Sequence, residues 1–432
     1  MNKRIVLLAA AVVFGFSAAS FSTVPFNRDL SVPTAAPAVK DWTIMVFMNG
    51  KNNVEKFANM DLQEMEKVGS TDRMNVVVEI GRLKKGTQRL FVKKSRGTGY
   101  ASQVIASYPS LDMGDYRNAI DFINWAKQTY PAKHYMFVLW NHGLGWIDPV
   151  PQKATRGISF DDETHNYIRT RQLGDIMRGV GGVDVFAANA CLMQMAEVDY
   201  EIGAYTSAII ASEETMLAYG FDYTKLLGLI DSNPNVTPAA IGKSMVAWWG
   251  EFMDSIPQIK DVPGTLSIVK PMALKDLPGK LNGFVDAVMA ANEPNSVKYA
   301  IAHVVRFASI AGPQDKNKML SSYGDLYDFV RLVDSQSQNP QVHAASRDLM
   351  NFITNDLVYS YVGLHTDAMG DDYTKTRGIA IELTKKANPV PPQFDSLMET
   401  NYADLALSKA SRWDEFINWT NGVWRGNTSS RY

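Results

Sequence analysis

Cys191 is the only cysteine in a chain of 432 residues. It closes a short apolar run, Val185-Phe186-Ala187-Ala188-Asn189-Ala190-Cys191. A thiol placed there is either a small hydrophobe in a core or a nucleophile. His142 favours the second reading. It follows another apolar run, Tyr135 to Trp140, within Asn141-His142-Gly143. Cysteine chemistry needs a base within reach of the thiol and N–H donors for the oxyanion. His142 is the candidate base. Gly143 has no side chain to obstruct a carbonyl, so its N–H is one candidate donor. The N–H of Cys191 is the other, because the pattern predicts a helix over Leu192–Thr206 that opens at the cysteine. Such a terminus also favours thiolate over thiol. Spacing alone points to no third member of a triad. His134, His165, His303, His343 and His365 have no metal-ligand spacing, and Gly143-Leu144-Gly145 is too short for a phosphate loop.

These two residues need elements to position them. Apolar runs at Trp42–Met48, Asn75–Ile80, Tyr135–Trp140, Asp184–Ala188 and Ser207–Ala211 have the length of strands buried on both faces, and Arg89–Lys93 reads as a hairpin partner of the second. Helical spacing fills Asn53–Val68 and Asp115–Gln128 between them. Strands alternating with helices predict an α/β three-layer sandwich with a mostly parallel sheet. Ligands bind such sheets beyond the carboxyl ends of the strands, where both His142 and Cys191 fall. Past residue 230 helices dominate, with strands at Gly264–Val269 and Gly378–Leu383, which predicts a C-terminal α+β region over 231–432 packed on a catalytic domain over 41–230.

The start of the chain, MNKRIVLLAAAVVFGFSAAS, has a basic beginning, an apolar stretch of secretory length and small residues for cleavage. Residues 1–20 read as a signal peptide and 21–40 as a linker or short pro-segment, which places the protein in a secreted or periplasmic setting. Structural cysteines in such compartments come in pairs, so an unpaired one gains weight as a functional thiol. With 43 basic and 45 acidic residues, the chain has no net charge suited to nucleic acid, and no membrane contact is expected once the signal is removed.

Several ordered segments resemble the clostripain family of cysteine peptidases, of the same clan as caspases, legumain and gingipains. They are Asn141-His142-Gly143-Leu144-Gly145-Trp146, Arg156-Gly157-Ile158-Ser159-Phe160-Asp161-Asp162, Asn189-Ala190-Cys191-Leu192-Met193, Ser212-Glu213-Glu214-Thr215 and Gly220-Phe221-Asp222-Tyr223. The resemblance implies a caspase-like fold, a His142/Cys191 dyad and endopeptidase activity on peptides and proteins. It also implies preference for a basic residue before the cut bond (the P1 residue), and self-cleavage between the dyad residues. In the loop from Ile147 to His165, Lys153 and Arg156 are the candidate processing points; an ordinary connecting loop is the alternative. Members that cleave after Arg or Lys usually carry an acid two residues before the cysteine, where this chain has Asn189. A neutral amide pairs less well with a cation. Glu213, Glu214 or Asp222 are candidates to replace the charge, with Ser212 beside them as a further substrate-binding residue. No cofactor is required by this chemistry. Asp161, Asp162 and Glu163 offer a Ca²⁺ site as one reading and a solvated turn as the other. The competing function is an exported binding or scaffold protein with the same fold and a weak site, the reading that Asn189 favours.

Overall fold

The computed structural model describes residues 38–97, 100–149, 157–233, 235–256, 262–307, 322–367, 370–383 and 401–425. The proposed signal peptide, most of the 21–40 linker, Lys153 and Arg156 lie outside the described residues.

The strands are β1 (Lys40–Gly50), β2 (Met74–Arg82), β3 (Gly86–Phe91), β4 (Gln103–Tyr108), β5 (Ala132–Trp140), β6 (Ile158–Asp161), β7 (Asn166–Ile168), β8 (Val185–Asn189), β9 (Ala208–Ala211), β10 (Gly264–Val269), β11 (Tyr323–Asp325), β12 (Val358–Leu364) and β13 (Ala380–Glu382). Nine of them form one sheet in the order β12-β10-β9-β8-β5-β1-β2-β3-β4. The centre is parallel: β1 pairs with β2 and β5, and β8 pairs with β5 and β9. Both margins are antiparallel, with β2, β3 and β4 on one side and β9, β10 and β12 on the other. The parallel centre arises because each of its strands returns through a helix, whereas β2 and β3 are joined by a short turn that only an antiparallel pair can use.

Helices cover both faces. On one side lie α1 (Glu55–Val68), α5 (Tyr223–Ser232) and α6 (Pro238–Ser255); on the other lie α2 (Tyr116–Thr129), α3 (Thr170–Gly179) and α4 (Ala196–Ile202). Along β1 the residues divide accordingly. Ile44, Val46 and Met48 join the α1 side, and Met45 and Phe47 join the α2 side. All five are fully buried. This two-sided burial is why the central strands are apolar throughout rather than alternating. Each such side chain contributes about 1.5–3 kcal/mol by leaving water, so the strand ends are held on a rigid base. Among the described residues no helix is long and apolar enough to cross a membrane.

Three sequence expectations are revised. Residues beyond 230 do more than pack on the sheet, since β10 and β12 extend it. The strand expected at Gly378–Leu383 is β13, which pairs with β11 in a separate two-stranded sheet. The helix expected over Leu192–Thr206 is the seven-residue α4, which starts at Ala196. Leu192 adopts a left-handed φ of 64°, which an L-residue tolerates poorly inside a helix. These residues are instead tied to neighbouring segments of the chain. Leu192 N–H donates to Glu214 O at 3.2 Å, Gln194 N–H to Ser212 O at 3.0 Å, and Ala380 N–H to Gln194 O at 3.0 Å.

Candidate active site

Trp140 and Asn189 are register partners at the ends of β5 and β8. Two residues further along each chain stand His142 and Cys191. Asn141 N–H still reaches Asn189 O at 3.3 Å, so the two segments leave the sheet together. Both His142 and Cys191 line one cleft of about 340 Å³, with Asn53, Phe57, Trp140 and Asn189 around them. A larger open groove of about 1190 Å³ lies elsewhere, near the start of β9, with Ser207 and Lys270 on its wall.

Each member of the pair has a partner that spacing did not reveal. Nε2 of His142 lies 2.7 Å from Oδ1 of Asn53, on the turn between β1 and α1. Cys191 is half-buried and unpaired with any other cysteine. Its Sγ receives the Met216 N–H at 3.3 Å. Sγ in turn donates to Met216 O at 4.0 Å, so the Met216 backbone holds the thiol where the sequence suggested a helix terminus. Gly143 is required by close packing: a Cβ there would lie 2.3 Å from the Cys191 carbonyl oxygen and 2.9 Å from Met193 Sδ.

The rim that carries His142 is braced by three buried asparagines. Asn49 Nδ2 donates to Ser159 O at 2.9 Å and Phe160 O at 3.0 Å. Asn52 Nδ2 donates to Phe160 O at 2.7 Å. Asn141 accepts the Phe160 N–H at 3.0 Å and donates to Asn49 O. Ser159 N–H also reaches His142 O at 3.3 Å. Amides suit this place because they satisfy both donors and acceptors of irregular backbone without burying a charge. The strand ends and the Ser159–Phe160 stretch are thereby fixed to each other.

The candidate substrate-binding residues separate. Asn189 lines the cleft. Ser212 and Glu213 do not; both are buried beneath it. Ser212 Oγ pairs with Thr265 Oγ1 at 2.9 Å, and Glu213 N–H donates to the same hydroxyl at 3.0 Å. They join β9 to β10 rather than face a ligand. Burial, and then the neighbouring Asp325, hold the Glu213 carboxyl well above the usual acidic range. Glu214 is equally buried and hydrogen-bonded to Tyr373 OH. Asp222 caps α5, accepting the Lys225 N–H at 2.9 Å, and lines a second, smaller cavity of about 130 Å³. Sequence reasoning missed Asp61, on α1. It is buried, accepts the Trp140 Nε1–H at 2.6 Å and lies 3.4 Å from Asn189 Nδ2. Its only sequence signal was an acid on the otherwise apolar face of a helix.

The acidic turn that the sequence offered for calcium is paired with a lysine. Lys51 Nζ, itself buried, sits among its carboxylates, 2.9 Å from Glu163 and 3.5 Å from Asp161. Asp161 also accepts the N–H groups of Met113 at 3.0 Å and Glu163 at 2.8 Å. These carboxylates are thus engaged by an ammonium and by backbone N–H groups. Among the described residues no group of three metal-binding side chains is present.

Comparison with known proteins gives a consistent answer. A sequence profile described as the clostripain family matches residues 46–419. Clostripain from Hathewaya histolytica is 26% identical over 220 residues, which span 44% of this chain and 42% of that protein; the match thus covers under half of clostripain's length. A secreted C11 cysteine protease from Bacteroides thetaiotaomicron, solved with an irreversible peptide inhibitor, superposes with a TM-score of 0.62 at 18% identity, over 89% of this chain and 99% of that one. An inactive zymogen C11 protease from Parabacteroides distasonis gives 0.63 at 18% identity, over 87% and 99%. At these identities the structures establish a shared fold.

Proposed function

This chain belongs to the clostripain family, and from that premise we propose that it is an exported cysteine endopeptidase in which His142 and Cys191 are the working pair. The observation that carries the reading is their joint emergence, two residues past the register-paired Trp140 and Asn189, into one cleft.

The chemistry follows from the residue types. His142 takes the proton of Cys191 Sγ. The thiolate attacks a peptide carbonyl, and the carbonyl oxygen gains negative charge that the N–H groups of Gly143 and Cys191 hold. His142 then gives its proton to the departing amine. A water molecule, activated by the same imidazole, attacks the thioester, and the carboxylate product leaves Cys191 free. The Met216 backbone, whose N–H donates to Sγ and whose carbonyl accepts from it, holds the sulfur in place before substrate arrives.

Export rests on the composition of residues 1–20. Self-processing at Lys153 or Arg156 rests on two basic residues in the loop between the pair and on the zymogen form of a structural neighbour. The braced Ser159–Phe160 segment supports a rim that keeps its shape after such a cut.

The test is labelling and turnover of purified protein under reducing conditions. A thiol-reactive peptidyl probe should label wild type and leave Cys191→Ala untouched, and a peptide library should be cut by wild type alone. Wild type that neither labels nor cuts any peptide sinks the peptidase reading in favour of a binding protein. Mass spectrometry of the same sample tests the loop: termini at Lys153 or Arg156 in wild type and an intact chain in Cys191→Ala support self-processing, and an intact wild type removes it.

A further inference from the structure

Asn189 leaves the strand before Cys191 without the carboxylate that would read a cationic side chain. The negative charge lies directly behind it. Asp61 is 3% exposed. Its Oδ2 accepts the Trp140 Nε1–H at 2.6 Å and lies 3.4 Å from Asn189 Nδ2. Its Oδ1 has no hydrogen-bond partner among the described residues, and Asp61 lines the 130 Å³ cavity. That cavity adjoins the catalytic cleft. Residues 215–218 line the cleft and 219–222 line the cavity, with Asn189 on one side of the boundary and Asp61 on the other.

The geometry points to Asp61 as the residue that selects a basic P1 side chain, its Oδ1 receiving an ammonium or guanidinium that passes Asn189. This rests on the peptidase reading above. Asn189 then acts as a neutral spacer whose amide donates to Asp61 and to Tyr223 OH, the latter at 3.2 Å. It places the charge behind position 189 rather than at it.

The rest of the cavity agrees with a cationic guest. Its other acids are Glu64 and Asp222. Lys225 Nζ, 4.0 Å from Asp222, already offsets part of that charge, while Glu64 accepts the Tyr223 N–H at 3.2 Å. Trp248 and Phe252 line the same cavity, and aromatic faces accept cations. Burial, and less strongly the charge of Glu64, push the Asp61 carboxyl up to about 8. A carboxylate that loses stability by being buried without a counter-ion gains most when a cation arrives. Its proton leaves to solvent as the cation binds.

The experiment measures kcat/KM on matched peptides with Lys, Arg or norleucine at P1, for wild type, Asp61→Asn, and Asp61→Asn combined with Asn189→Asp. An asparagine at 61 keeps an acceptor for Trp140, and a thermal melt of each variant checks the fold. Asp61→Asn should lose about 100-fold on Lys and Arg, the effect of removing one partner of a buried charge pair, and change little on norleucine. Returning the charge at position 189 should restore most of that loss. Equal losses on all three peptides, or no loss on any, overturn the role of Asp61. So does an unrestored double variant that melts like wild type. Norleucine cleavage that depends on Cys191 while Asp61→Asn is silent defeats this inference alone, whereas wild type that cuts nothing defeats it together with the peptidase reading.

Discussion

His142 Nε2 lies 2.7 Å from Asn53 Oδ1. An amide oxygen only accepts, so this contact places the imidazole proton on Nε2 and leaves the lone pair on Nδ1. It also fixes the plane of a ring that stands on a loop rather than on a strand. Asn53 is therefore a positioning residue. Asn53→Ala should lower kcat by up to about 100-fold, the scale of a correctly placed acid–base group, with KM nearly unchanged. Asn53→Asp should keep most activity but move the acid limb of the kcat/KM profile to higher pH, because a carboxylate beside the ring favours imidazolium. A kcat that Asn53→Ala leaves intact removes Asn53 from the mechanism.

Gly143 gives a sharper test of the proposed oxyanion geometry. A methyl group at position 143 would meet the Cys191 carbonyl oxygen at 2.3 Å, and that atom is backbone, so it cannot swing aside. The two loops must separate. A displacement near 1 Å at a reacting centre costs on the order of 100-fold. Gly143→Ala is expected to lose at least that in kcat, while the melting temperature stays close to wild type because the change lies at a rim. If peptide turnover survives the substitution, Gly143 N–H does not hold the oxyanion.

The parallel centre of the sheet was readable because its strands are buried on both faces and apolar throughout, and the His142 and Cys191 positions followed from where those runs stop. Contacts between distant segments were not readable. Asn53 meets His142 across 89 positions and Asp61 meets Asn189 across 128, and nothing local names the partner of either residue. The helix expected after Cys191 failed for a related reason. The residues Leu192 to Met195 have ordinary helix propensity, but hydrogen bonds to Ser212, Glu214 and Ala380 hold them out of a helix, and tertiary pairing overrides propensity. Glu213 looked like a ligand-facing acid because it follows the strand beside the one that leads to Cys191; it is instead one of several buried carboxylates.

That group sets the pH dependence of stability. Burial raises Asp325, Glu197 and Glu79 to about 7 and Asp61 to about 8, and it holds Asp199 and Glu213 well above the ordinary range. In the unfolded chain all of them ionise near about pH 4. Between these values the folded protein binds protons that the unfolded chain has released. Stability is therefore fully present below the unfolded values and lost as pH rises through the folded ones. The melting temperature should fall steadily from about pH 5 to about pH 8. Glu213→Gln removes the carboxyl that faces Asp325 and should flatten that slope. A melting temperature that rises over the same interval contradicts the assignment.

Lys51 offers the test of what the acidic turn is for. Its ammonium is buried, 2.6 Å from Leu111 O as well as near Glu163 and Asp161. The carboxylates of the turn then serve as its counter-ions, and in doing so they tie the end of β1 to the segment after β6. Lys51→Met leaves the fully buried Asp161 without its cation, a change that costs about 3–5 kcal/mol when one partner of a buried pair is removed. The loss should appear in chemical denaturation as a lower midpoint at an unchanged slope. Calcium should neither raise the wild-type melting temperature nor be needed for turnover, so a chelator leaves both as they were. The opposite pattern, a melting temperature that climbs with added calcium in wild type, would mean that the turn can release Lys51 and accept a divalent ion in its place.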